Sequence, residues 1–205
     1  RSSTLDKIQV IDKTLAAFRA RYGRLPCPAD AALATSNANF GIEAANGGSC
    51  TGGSPAATYL TTSAPTNVPS GAVPVKTLGL SNEFMFDGFG GKFMYEVTPA
   101  MTADNAFSYS QPGDSCSITV VDASGNNLAI QPVYALVSHG RNGIGAYLAS
   151  GSRQTSGTAG TAEQTNIRGT TTTPTIRIMN GSVGAMGTSG YYDDMVSFTP
   201  RYLMP

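Results

Sequence analysis

The sequence predicts an α+β domain in which one long amphipathic helix packs on an antiparallel β-sheet. Three observations predict it. Apolar residues recur at steps of three and four across the first 22 positions, short alternating runs bounded by Gly, Asn and Asp follow from residue 92 onward, and long Gly/Ser/Thr-rich stretches separate them. The chain has 205 residues, a length that suits one domain. Residues 1–24 read as the helix and residues 25–205 as the head to which it belongs.

Leu5, Ile8, Ile11, Leu15, Phe18 and Tyr22 share one helix face. Asp6, Lys7, Gln9, Asp12, Lys13, Arg19 and Arg21 take mostly other directions, and Ala16, Ala17 and Ala20 narrow the middle so that another element can come close. Gly23 suits the residue after a helix end, and Pro26 prevents continuation. From 26 to 74 the chain is turn-rich and almost uncharged, which predicts a long ordered loop with a short helix near 29–33. Phe84, Met85 and Phe86 lead into a turn at Asp87-Gly88-Phe89-Gly90-Gly91. Residues 92–98 alternate as a strand does. Residues 117–122 and 128–138 read as two strands joined by a hairpin turn at Gly125-Asn126-Asn127. After a hydroxyl-rich stretch at 150–175 come short strands at 175–179 and 194–199.

Composition narrows the function. Thirteen cations balance thirteen anions and charged residues make up 13% of the chain, about half the usual share. A basic nucleic-acid-binding domain is thereby excluded. The balance is uneven, since residues 1–24 carry a net +4 and the rest a net −4. That reads as a basic helix lying on an acidic body, its own or a neighbour's, or simply as a solvated helix face. The longest apolar run, at 133–137, is far short of the roughly 18 residues of a membrane span. The first residue is Arg rather than Met, so an upstream segment is expected to have been removed.

Cysteines stand at 27, 50 and 116 with no C-x-x-C pair. In an oxidising compartment Cys27 with Cys50 is the favoured disulfide: Pro26 and Pro28 fix one end, and Gly47, Gly48, Gly52 and Gly53 loosen the other. Cys116 would then be buried outside the bond. Three reduced core cysteines are the alternative.

Catalytic chemistry finds little support, and no catalytic residue is assigned. His139 is the sole histidine. Ser138 and His139 are neighbours on a strand, where side chains point to opposite faces, and the surrounding residues are not G-x-S-x-G. Gly140, Gly143 and Gly145 lack the Lys-Ser/Thr of a phosphate-binding loop. Asp193 and Asp194 could join backbone carbonyls and Asn142 around a calcium ion, or could cap local backbone donors, and no metal ligand is assigned. Asn180-Gly181-Ser182 is one glycosylation sequon. Tyr191 and Tyr192 are the obvious candidates for an exposed aromatic surface.

The order of motifs says more than any one of them. A helix ends in Tyr22-Gly23-Arg24-Leu25-Pro26-Cys27-Pro28-Ala29. There follow Leu78-Gly79-Leu80, Phe86-Asp87-Gly88-Phe89-Gly90 with Phe93 and Tyr95, Leu136-Val137-Ser138-His139-Gly140-Arg141-Asn142-Gly143, and Asp193-Asp194-Met195-Val196-Ser197. This succession resembles the type IV pilin and type II secretion pseudopilin superfamily, and within it the members with R-L-P-C-P-A after the first helix.

The resemblance implies a pilin-like fold. Residues 1–24 would be the C-terminal half of a helix whose upstream apolar half is anchored in the inner membrane before assembly and packed in the filament core afterwards. Gly88 and Phe89 replace the Pro and Trp of the family's D-P-W-G turn. Asn142 stands where the pseudopilin S-x-G-x-D-G has an Asp that helps hold calcium, so the substitution argues against a calcium site and no cofactor is assigned. The implied function is non-enzymatic: a filament subunit for attachment, motility, uptake or secretion. Its partners would be further copies, other pilin-like subunits, the inner membrane and the assembly machinery, with no nucleic acid. It would move from the inner membrane to an extracellular fibre. Leu5, Ile8, Ile11 and Leu15 would form the filament interface, with Leu5, Ile8 and Ile11 the least covered by the head. The alternatives are a minor tip subunit or adhesin, and a secreted hydrolase using Ser138 and His139.

Overall fold

A computed structural model describes residues 2–46, 48–54, 68–104, 106–107, 116–128, 130, 132–167, 175–179 and 183–203, without the side chains of 46, 51–54 and 202. The first element, α1 (Ser2–Tyr22), buries Thr4, Ile8, Ile11, Leu15 and Phe18, a stripe spaced four, three, four and three residues apart. It stops because Gly23 adopts a φ of 65°, and its N–H returns to Arg19 O at 2.8 Å. Ala16, Ala17 and Ala20 are exposed, so no described part of the chain makes the close approach they permit.

Among the described residues eight strands follow: β1 (Ala45–Asn46), β2 (Ser49–Ser54), β3 (Ser70–Ala72), β4 (Met94–Val97), β5 (Thr119–Val121), β6 (Pro132–Ser138), β7 (Thr175–Arg177) and β8 (Met195–Pro200), with one helical turn, α2 (Thr161–Gln164), before β7. Four of them build an antiparallel sheet in the order β3-β4-β6-β8. Alternation then sorts the side chains. Tyr95, Val97, Tyr134 and Leu136 pack with Ile8, Ile11 and Leu15 of α1. Met94, Ala135, Val137, Val196 and Phe198 pack on the opposite side with Ile118 and Ile176, beside and within the β5–β7 pair. The sheet is therefore covered on both faces, which is why all seven residues of β6 are buried.

Polar contacts fix the helix on this core. Asp12 Oδ1 accepts the Tyr134 hydroxyl at 2.9 Å and Oδ2 accepts Ser197 Oγ at 2.8 Å, tying α1 to β6 and β8 at once. At the other end of the stripe Gly88 N–H donates to Thr4 Oγ1 at 2.9 Å, and Lys7 Nζ donates to Glu83 O and Phe86 O. The Asp87–Gly91 turn thus clamps the start of α1. Arg24 makes two 2.9 Å bonds to Glu43 and lies 3.6 Å from Asp104, so part of the basic excess of residues 1–24 is neutralised inside the chain.

Two local readings need correction. Residues 29–33 are not helical: Ala29 bridges both Glu43 and Ala72, and Ala32 N–H closes a turn on Asp30 Oδ1. Residues 117–122 and 128–138 form only the root of the expected hairpin, through the antiparallel Val121–Asn127 bridge and the Leu128 N–H bond to Val120 O at 3.0 Å, with no further pairing among the described residues. A tight turn does form, with the Asp122 carboxylate accepting N–H groups of Ser124 and Asn126, but β6 then joins the main sheet while β5 pairs with β7 in parallel. The segment from 26 to 74 also holds β1, β2 and β3; residues 55–67 lie outside the described part, as does the sequon at 180–182. Cys27 and Cys50 are bonded, with Cα atoms 5.4 Å apart, so the disulfide staples the segment after α1 to β2. Cys116 is half-buried and lies outside that bond.

Candidate functional site

Three stretches distant in sequence meet where β6 ends and β8 begins. Past Ser138 the chain reverses through Gly140 and Gly145, whose φ values of 62° and 101° lie in the region glycine favours. A Cβ at Gly140 would overlap the Asp193 carboxylate, so glycine is what allows this loop to touch the segment ahead of β8. The third stretch is α2. Its Glu163 turns back to accept Gly160 N–H at 3.0 Å.

The meeting point holds three carboxylates. Glu163, Asp193 and Asp194 are 1%, 5% and 4% exposed, and each offers an oxygen within 4.8 Å of the others. Glu163 Oε1 accepts Asp193 N–H at 3.1 Å, and Oε2 accepts Asn142 Nδ2 at 2.8 Å. Asp193 Oδ2 accepts Arg141 N–H at 2.6 Å and the Tyr191 hydroxyl at 2.8 Å. Asp194 Oδ2 accepts Asn166 Nδ2 at 2.8 Å, while its Oδ1 lies 4.0 Å from His139 Nδ1. One oxygen stands apart: Asp193 Oδ1 is buried and accepts no hydrogen bond among the described residues.

Such crowding has an electrostatic signature. Burial pushes the Asp194 carboxyl well above the ordinary carboxylate range, the charges of Glu163 and Asp193 add to the rise, and the Asn166 hydrogen bond opposes it. Burial raises Glu163 too. The Tyr191 hydroxyl is pushed up to about 12, by burial first and then by its bond to Asp193.

The residues singled out in the sequence fare unequally. Asp193, Asp194 and Asn142 do come together, but Asn142 directs its amide N–H toward Glu163 while its Oδ1 accepts Ile144 N–H, so its oxygen faces the loop backbone. Ser138 Oγ donates to Asp87 Oδ2 at 2.6 Å and accepts Gly140 N–H at 3.3 Å, the posture of a structural bridge. Tyr191 and Tyr192 are 8% and 1% exposed, which overturns their reading as an exposed aromatic surface. Of the four helix residues assigned to a filament interface, Leu5 is 49% exposed, but Ile8, Ile11 and Leu15 are at most 5% exposed. The expectation that Ile8 and Ile11 are among the least covered by the head is wrong, because both pack into the core between α1 and the sheet.

Glu163 was missed. A signal existed: it is the sole acidic residue between Asp122 and Asp193. Asn166, which donates to Asp194 Oδ2 and Arg177 O and accepts Arg177 N–H, had no comparable mark.

No described helix is long and apolar enough to cross a membrane. Compared with protein-family models, curated proteins and solved structures, the chain matches none of them.

Proposed function

We propose that this chain is a non-enzymatic subunit of a type IV pilus-like or secretion-pseudopilus filament, with a pilin-like fold. The observation that carries the reading is the arrangement of α1. One stripe is sealed onto a four-stranded antiparallel sheet, while its other side offers Leu5 and Val10, 49% and 36% exposed, together with three exposed alanines. An upstream apolar extension of the helix would anchor the subunit in the inner membrane, and copies would then stack helix against helix in an extracellular fibre through this open side. Other pilin-like subunits and the assembly machinery are the partners this reading requires.

The test is a substitution on the open side in the full-length gene product, expressed in its own host. Leu5→Glu is expected to abolish filaments while the thermal melt of the head stays within about 2 °C of the original, as suits an exposed position. Ile8→Glu is uninformative, because a buried glutamate would unfold the head. Filament yield unchanged in Leu5→Glu, or a gene with no apolar stretch of about 20 residues upstream of Arg1, would count decisively against the proposal.

A further inference from the structure

We infer that the outer edge of β8 is a self-association surface, on which a second copy of this chain adds its own β8 in antiparallel pairing about a two-fold axis. This goes beyond the filament reading, which uses α1, and does not depend on it. The two edges of the main sheet are finished differently. At β3 the chain closes its own edge, because Ala29 and Ala72 exchange backbone hydrogen bonds at 2.9 and 2.8 Å. β8 ends the sheet on the other side, and among the described residues no backbone group bonds to its outer edge. Exposure agrees: every residue of β6 is buried, but Val196, Ser197, Phe198 and Thr199 are each half-buried. The helix does not overhang this edge. The apolar stripe of α1 packs with β4 and β6, and α1 reaches β8 through the Asp12–Ser197 hydrogen bond on its flank.

The chemistry of the edge selects the occupant. Unpaired strand N–H and C=O groups take up another strand, and natural edges are guarded against this by Lys, by Pro, by an inward charge or by a bulge. β8 carries no charge, its one Pro stands at the last position, and the irregularity in its pairing with β6 lies at that same end. What remains is a row of backbone donors and acceptors beside which Val196 and Phe198 leave part of their apolar surface open. An antiparallel edge is complementary to itself under a two-fold axis, so one unguarded strand suffices for a closed pair. Charge favours the same occupant in the same direction. The carboxylates of Glu163, Asp193 and Asp194 gather where β8 begins, and Arg201 follows where it ends. Antiparallel pairing sets the basic end of each strand beside the acidic end of the other, whereas parallel pairing would set like beside like. The whole chain is formally neutral, so two copies meet without net repulsion.

Sedimentation velocity on the purified chain tests this. A contact of six residues per copy is small, and interfaces under about 1,200 Å² are weak, so a Kd of ~20 μM is expected and loading from ~2 to ~200 μM should carry the chain from monomer to dimer. Over that range hydrogen exchange of the β8 amides should slow by about threefold or more while that of β3 stays unchanged. Val196→Lys and Thr199→Lys each place a charge beside the edge and should weaken dimerisation by about tenfold or more, so a folding failure of either leaves the other as a test. Met186→Ser, which removes an exposed apolar side chain outside β8, should dimerise as the unaltered chain does. A monomer at every concentration overturns the inference and leaves the edge to a strand of another protein. So does a dimer whose protected amides lie outside β8, or one that persists undiminished in a folded Val196→Lys or Thr199→Lys. Filament yield in Leu5→Glu bears on none of these results, so either proposal can fail while the other stands.

Discussion

Lys92 is a residue whose chemistry is set wholly by its surroundings. It is 2% exposed, its Nζ donates to Ala31 O and Leu33 O at 2.8 and 2.6 Å, and it lies 5.1 Å from the Phe40 ring centroid. Burial lowers its pKa from 10.5 to about 8, with the charge of Asp30 opposing. Between those values the unfolded chain holds a proton that the folded chain has released, so stability rises with pH there. Below about 8 both states are protonated and the contribution is flat. Unfolding free energies measured from pH 7 to 10 should therefore show the original chain gaining on Lys92→Met as pH rises, and parallel profiles would refute this. Gly88 is a second case. In this turn the Gly88 N–H is spent on the buried Thr4 hydroxyl. Gly88→Pro removes that donor, and a cost of about 1–3 kcal/mol is expected in chemical denaturation.

Among the elements, α1 makes the clearest energetic statement. Leu15 is fully buried against the sheet, so Leu15→Ala should cost about 2–5 kcal/mol. Asp12→Ala should cost about 1–3 kcal/mol, because it removes the acceptor that both Tyr134 and Ser197 use. Urea titrations of the two single variants measure both values. This helix was legible in the sequence because its 3.6-residue period reports burial directly, and β4, β6 and β8 were legible from alternation and bounding turns. The face of α1 was legible too, but not how much of it the head covers. Sequence period says which residues point inward without saying whether a sheet or a neighbour meets them. The β5–β7 pair escaped notice because a parallel pairing across more than fifty residues leaves no local mark. The carboxylate cluster escaped for the same reason: Asp193-Asp194 is visible as a pair, but Glu163 reaches it through a four-residue helix in a segment of low complexity.

At the scale of the molecule, stability is distributed over two cores and one covalent staple. Closing the 23-residue separation between Cys27 and Cys50 restricts the unfolded chain, so the Cys27→Ala/Cys50→Ala variant should be less stable by about 3 kcal/mol. An equal loss should follow reduction of the original chain, measured by guanidinium unfolding with and without reductant. The way α1 is seated also has a mechanical meaning. Tension applied along the axis of α1 would displace its five buried side chains, the Thr4 contact and both Asp12 hydrogen bonds together, rather than peel them one at a time. Whatever load passed the helix would meet the Arg24–Glu43 pair and the Cys27–Cys50 bond within the next five residues of chain. The joint between rod and head is thus loaded in shear and backed by a covalent stop.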